Sequence, residues 1–239
     1  MPAELAEIWV YLAASPLAAL TATLCAWVAG AWCHARAGHA PWVNPVLIAA
    51  LLLVGVLLVT GIEYRVYFEG AQFVHFLLGP ATVALAVPLY RQWALVRRSA
   101  LALGVALVSG SAFAAASAVA IGWAFGAEAP LLATLAPKSV TTPVAMGIAE
   151  QLRGYPSLTA AVVILSGIAG ASLGPAVLTL LGVRDWRARG LAIGTAAHGI
   201  GTARALSVNE TAGAFSGLAM GLNALATALA LPLVWGLFR

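Results

Sequence analysis

From Ser99 to Phe125 the chain runs without a single Asp, Glu, Lys or Arg, and five other stretches are almost as apolar: Leu5 to Cys33, Val43 to Ile62, Ala71 to Tyr90, Ser157 to Val183 and Thr211 to Phe238. About 20 apolar residues in a helix cross the hydrocarbon of a bilayer, so each stretch can span it, the longer ones with tilt or with ends in the interface. Of 239 residues, 62% are hydrophobic and 8% charged, against about 25% charged in a soluble domain. So few charges cannot build a water-facing surface, and lipid must cover most of this one. The net charge of +4 is not a sign of nucleic-acid binding. The Lys and Arg residues sit mostly in short loops between apolar runs, where they set orientation.

Two further stretches are apolar overall but broken in the middle. Ala129 to Gln151 contains Pro137, Lys138, Ser139, Thr141, Thr142 and Pro143; Gly190 to Ser207 contains Thr195, His198, Gly199, Gly201, Thr202 and Arg204. Charge decides how they insert. The basic loops Arg91 to Arg98 and Arg184 to Arg189, with Arg36, belong on the cytoplasmic side, and Glu4, Glu7, Glu63, Glu69, Glu128 and Glu150 on the other. Six alternating spans satisfy this only if Ala129 to Gln151 starts and ends outside while Gly190 to Ser207 starts and ends inside. Both are therefore expected as re-entrant hairpins inserted from opposite faces, with the N-terminus outside. Irregular backbone at that depth is tolerated where protein or a wet cavity covers it. The acidic N-terminus lacks the basic region of a cleaved signal peptide. Cys25 and Cys33 read as small apolar fillers, and Trp9, Trp42, Trp93, Trp186 and Trp235 as interfacial anchors.

Shifted by 60 residues, Val140 to Glu150 aligns with Ile200 to Glu210: Thr142/Thr202, Ala145/Ala205 and Glu150/Glu210 are identical, and Lys138 falls opposite His198. The match is short and the chain rich in Ala. Yet each hairpin is followed by one span and the two units insert in opposite directions, so an inverted repeat is expected, an architecture that recurs in secondary transporters. The expected fold is one all-α polytopic membrane domain over 1–239, with six transmembrane helices and two opposed re-entrant hairpins. A four-span scaffold occupies 1–126 and two hairpin-plus-span units occupy 127–239.

Lys138 and Arg204 are the sharpest chemical signals. A cation at the centre of a span costs roughly 2.5–3.5 kcal/mol on insertion scales. Snorkelling to the headgroups is the competing reading, but Pro137 and Gly201 place both beside expected helix breaks rather than at span ends. Half-helix N-termini at a break expose N–H groups and a positive dipole end, and so favour an anion. The hydroxyls of Ser139, Thr141, Thr142 and Thr202 and the backbone at Gly199 can complete its shell. His198 reads equally as a hydrogen-bonded packing residue or a proton carrier. Asn223 reads first as an interhelical hydrogen bond and second as a site member. Glu150 and Glu210 read as charges at hairpin ends, with ion coupling the lesser alternative, and His75 as a packing residue. No nucleophile–base pair or metal cluster is visible, so neither an enzyme nor a cofactor is expected.

The runs Pro137-Lys138-Ser139-Val140-Thr141-Thr142-Pro143-Val144-Ala145-Met146, Pro156-Ser157-Leu158-Thr159-Ala160 and His198-Gly199-Ile200-Gly201-Thr202-Ala203-Arg204-Ala205 resemble the signature blocks of the LrgB/CidB family. The resemblance is densest from Phe76 to Leu222. Members are antiholin-like proteins, described as regulators of murein hydrolase export and autolysis, that work with a small holin-like membrane partner of the LrgA/CidA type. Related plastid proteins carry glycolate and glycerate, and bacterial relatives are implicated in pyruvate uptake. The resemblance thus implies a carrier of small monocarboxylates in the plasma membrane, or alternatively an antiholin-like pore or regulatory subunit. A holin-like partner and a homo-oligomer are expected with either. Gly147 departs from the pattern, which has an acid there.

Overall fold

The computed structural model describes residues 16–38, 40, 43–77, 80, 83–84 and 86–237. Glu4, Glu7, Trp9, Trp42 and the start of the first predicted span lie outside these residues, as does the side chain of His75. All regular structure among the described residues is helical. Four helices are long and apolar enough to cross a membrane: Leu17–Arg36, Ala100–Ala124, Pro156–Leu180 and Glu210–Gly236; Pro45–Thr60 is apolar but shorter. Leu58, Val59, Leu101, Phe113, Leu180 and Leu233 are 74–88% exposed on the chain, a surface that lipid rather than water would cover.

The chain divides into two compact units, Met1–Ala84 and Leu85–Arg239. The first holds α1 (Pro16–Arg36), α2 (Pro45–Thr60) and α3 (Tyr64–Phe76). Asn44 caps α2 by accepting from the Val46 and Leu47 amides, Pro45 occupies its first turn, and Gly61 ends it at φ 70°, where glycine carries no Cβ penalty. A Cβ on Gly30 would stand 2.5 Å from the Pro45 carbonyl oxygen, so glycine sets the approach of α1 to the start of α2. The Thr23 and Tyr67 hydroxyls, 2.7 Å apart, join α1 to α3. Of the predicted span Ala71 to Tyr90, the described residues are helical in α3, which ends at Phe76, at Pro80, Val83 and Ala84, and in α4 (Ala86–Arg91).

The second unit holds α4, α5 (Trp93–Arg98), α6 (Ala100–Ala124), α7 (Ala129–Leu135), α8 (Thr142–Gln151), α9 (Pro156–Leu180), α10 (Trp186–Val208) and α11 (Glu210–Gly236). Two basic segments expected as loops are largely helical. In the first, α5 buries Val96 against Leu103 and Phe215 and keeps Arg97 and Arg98 exposed. In the second, α10 begins at Trp186, capped by Asp185, whose carboxylate accepts from the Arg187 amide. The Arg187 guanidinium on that carboxylate holds Asp185 below the usual carboxylate range. Arg189 donates to the Val183 and Pro175 carbonyls and to the Thr179 hydroxyl, tying the start of α10 to the end of α9.

The first broken segment doubles back. Pro137 has no N–H to extend α7, and the chain continues in tight turns to Val140 before α8 starts with Pro143 in its first turn. Ten residues of α8 cover about 15 Å, yet its far end returns to α7: the Tyr155 amide donates to the Thr134 hydroxyl at 2.8 Å. From there α9 retraces the path of the ascending limb. Thr159 donates to the Thr134 carbonyl and Ser166 to the Lys138 carbonyl. α8 ends at Arg153 in a left-handed conformation, φ 63°; the Gly154 amide then closes onto the Ala149 carbonyl, the hydrogen-bond pattern of a glycine-type C-terminal cap.

The second broken segment also doubles back, from the other direction. The limb before His198 packs antiparallel to α9: Gly167 faces His198, Gly170 faces Ala197, and Gly174 faces Ile193. After His198 the chain reverses, so that Gly201 lies on Ile193 and Ala197, and Leu206 on Gly213. α11 then ascends beside the first limb, with Gly190 against Ala212 and Gly194 against Ser216. The hairpins thus enter from opposite ends of α9, and both tips reach its middle. The reversal is at His198 (φ 40°, ψ −132°), not at Gly201. With no Cβ, Gly201 instead lets the two limbs close on each other.

This arrangement has a direct topological test. In a variant lacking Cys25 and Cys33, cysteines placed at Glu128 and at Arg153, both exposed at the open end of the first hairpin, should react with an impermeant reagent from the same side. A cysteine at Arg187 should react from the other. Labelling of Glu128 and Arg153 positions from different sides would turn Ala129 to Gln151 into a full span.

Candidate functional site at the hairpin tips

Each reversal releases backbone groups that an unbroken helix would pair, and most of the tip geometry follows from how they are satisfied. Asn223, fully buried at the midpoint of α11, donates through Nδ2 to the Ser139 carbonyl of the first tip at 2.9 Å and to the Thr195 carbonyl of the second hairpin at 3.1 Å. In a continuous helix the Thr195 carbonyl would take the Gly199 amide; the break at His198 frees it. The Thr227 hydroxyl sits 3.4 Å from Asn223 Oδ1 and 3.2 Å from the Ser111 hydroxyl of α6. One amide side chain therefore joins two hairpins and orients itself against the span behind it.

His198 lies buried with Nε2 2.9 Å from the Val163 carbonyl of α9. A carbonyl only accepts, so Nε2 carries the proton. A Cβ at Gly167 would stand 2.5 Å from His198 Cε1, which makes that glycine a condition for the imidazole's position. Positive φ on a non-glycine residue is strain that surrounding contacts must hold, and such strain clusters at functional sites. Lys138 is half-buried at the opposite tip.

The expected site residues separate into two groups. Lys138, Ser139, His198 and Gly199 stand at the tips. Thr141 and Thr142 stand partly buried at the start of α8, with no side-chain cap from Thr141. Thr202 is buried one turn below its tip, and its hydroxyl is already engaged, donating to the His198 carbonyl at 2.8 Å and facing the Ser216 hydroxyl at 2.9 Å. Arg204, half-buried, lies on the returning limb roughly 8 Å along the helix from the reversal. Glu150 is exposed at the far end of α8, and Glu210 is exposed at the start of α11, 3.4 Å from Arg91, a pairing of small energetic weight at such exposure. Asn223 acts as the interhelical bond anticipated for it. Ser166 and Gly167 were not singled out as site residues, because each reads as one more small residue in a packing stripe. Among the described residues no group of three or more His, Cys, Asp or Glu could hold a metal.

Two half-helices of opposite entry direct their N-terminal ends at a shared mid-depth locus that carries one lysine, which places the molecule among multi-pass membrane proteins with opposed re-entrant hairpins. Residues 23–237 match the model of the LrgB-like family, and the chain belongs to that family. It is 38% identical to the uncharacterized protein YxaC of Bacillus subtilis over 83% of this chain and 86% of that one. It is 35% identical to the uncharacterized protein YwbG of the same organism over 80% and 85%. It is 31% identical to the holin-like protein CidB of Staphylococcus aureus strain N315 over 83% and 86%. No solved structure matches it.

Proposed function

We propose that the chain is a secondary carrier of small monocarboxylates, of the pyruvate, glycolate and glycerate type, working by alternating access in the plasma membrane with its N-terminus outside. The observation that carries this reading is Lys138 at a helix break, facing a second, oppositely inserted tip at the middle of α9 and α11. An anion there would meet a full positive charge and the N-terminal ends of α8 and of the limb after His198. The 60-residue sequence echo places Lys138 and His198 at corresponding tips, in keeping with two inverted copies of one unit. Charge alone does not select a monocarboxylate over a dicarboxylate; the family resemblance does.

A second reading has its own support. The S. aureus relative is named a holin-like protein, which favours a pore or regulatory subunit controlling murein hydrolase export beside a holin-like LrgA/CidA-type partner, with this chain as a homo-oligomer. Flux separates the two. In proteoliposomes, with the holin-like partner added if needed, a carrier exchanges labelled pyruvate or glycolate saturably, short monocarboxylates compete and succinate competes poorly. A pore gives unsaturable flux and passes sugars as well.

Lys138→Met and Arg204→Met should still insert, since each removes an insertion cost. A hydrogen bond to a charged group is worth about 1.5–3 kcal/mol, or roughly 10- to 150-fold in affinity. Apparent affinity for the anion should fall by that order in Lys138→Met. The response of Arg204→Met decides whether the returning limb takes part. Normal uptake by both variants removes the cations from the mechanism.

A further inference from the structure

Ser139 is buried, 7% exposed, and its hydroxyl has no hydrogen-bond partner among the described residues. Every other buried hydroxyl described is engaged. Thr134, Thr159, Thr195 and Thr202 donate to the carbonyl one helical turn back; Ser216 meets Thr202, and Thr227 meets Asn223 and Ser111. That back-bonding is the default for Ser and Thr in helices. Ser139 lies past the break: Pro137 has ended the helical register and the Lys138 amide turns back to the Leu135 carbonyl, so Ser139 has no α-helical turn behind it to bond. The Ser139 carbonyl is held by Asn223, which fixes the backbone at this position. A buried polar group without a partner calls for a reason, and here it directly follows the tip lysine.

We infer that the Ser139 hydroxyl is the specificity determinant of the tip site, donating to the oxygen on the carbon next to the substrate's carboxylate while Lys138 takes the carboxylate. This rests on the carrier reading above and deepens it. Of the four hydroxyls expected from the sequence, Thr202 is engaged inside the protein and Thr141 and Thr142 are partly solvated, so Ser139 alone is both desolvated and unbonded. Its oxygen is shut off from solvent in this conformation, and it sits beside the tip lysine in the chain. A site built to bond a substrate oxygen rejects analogues lacking it, because the buried group is then left bare. The ligand class is therefore 2-oxo and 2-hydroxy monocarboxylates, discriminated from unsubstituted acids of equal length.

The test is competition against labelled pyruvate in proteoliposomes, pairing glycolate with acetate and lactate with propionate. Wild type should prefer the oxygenated member of each pair by about tenfold or more. In Ser139→Ala, and in Ser139→Cys, which keeps the volume with a poor donor, the preference should shrink to within about twofold, with acetate and propionate inhibition unchanged. Thr134→Ala, which removes an equally buried but internally bonded hydroxyl, should keep the wild-type ratio. Saturable uptake with an unchanged ratio in both Ser139 variants, or an equal loss for both members of each pair, overturns the assignment and leaves the carrier standing. Unsaturable flux through wild-type protein overturns the carrier reading and the assignment together.

Discussion

Gly194→Ala is expected to lower the melting temperature of the detergent-solubilised protein by roughly 6–12 °C. The added Cβ would lie 2.2 Å from the Ser216 carbonyl oxygen and 2.7 Å from the Ser216 Cα, where carbon contacts normally begin at about 3.5 Å. Both obstacles are backbone, so no rotamer change relieves them and α10 must back away from α11. Overpacking ordinarily costs about 1–3 kcal/mol, and a clash with backbone belongs at the upper end. For a chain of this size each kcal/mol shifts the midpoint by about 2–4 °C. Gly190→Ala meets the Ala212 carbonyl oxygen at 2.2 Å and should behave alike. Gly147→Ala is the contrast. Nothing lies within 4 Å of its Cβ position in α8, and Ala is favoured over Gly in a helix by about 0.8–1 kcal/mol, so its midpoint should hold or rise. If all three variants melt together, the close backbone seam between α10 and α11 does not exist.

Asn223→Leu is expected to be as damaging to stability and more so to uptake. The substitution nearly preserves volume but removes the amide that donates to the Ser139 and Thr195 carbonyls at the two tips. Leaving a buried acceptor bare costs about 1–3 kcal/mol, and two are left bare here. Asn223→Asp should fare no better, because a carboxylate presents acceptors to acceptors. Melting should drop by several degrees in both variants, and saturable uptake should be lost even at temperatures where the protein remains folded. Wild-type uptake by Asn223→Leu would show that the hairpins hold together without the amide.

The long spans after residue 98 were legible because uninterrupted apolar sequence leaves a membrane chain few alternatives: Ser99 to Phe125 became Ala100–Ala124, and Ser157 to Val183 became Pro156–Leu180. The first break was legible too, since Pro137 removes a donor wherever it sits. The second was displaced. Gly201 looked like the breaker by its conformational freedom, but what the fold needed there was the absence of a Cβ, while the reversal fell on His198, held by a carbonyl of α9 that is distant in sequence. The same blindness applies to hydroxyls. Ser139 and Thr202 look equivalent as letters, and only packing shows that one is engaged and the other is not. The basic segments were read as loops because charge reports the side of the membrane, not whether the backbone there is coiled.

The two carbonyls held by Asn223 also set an order of assembly. In lipid an unpaired backbone group costs several kcal/mol, and α11 follows both hairpins in the chain. Until its midpoint has been synthesised and inserted, the Ser139 and Thr195 carbonyls lack the Asn223 amide. The hairpin tips are therefore completed by the last long helix of the chain, not by neighbours in sequence.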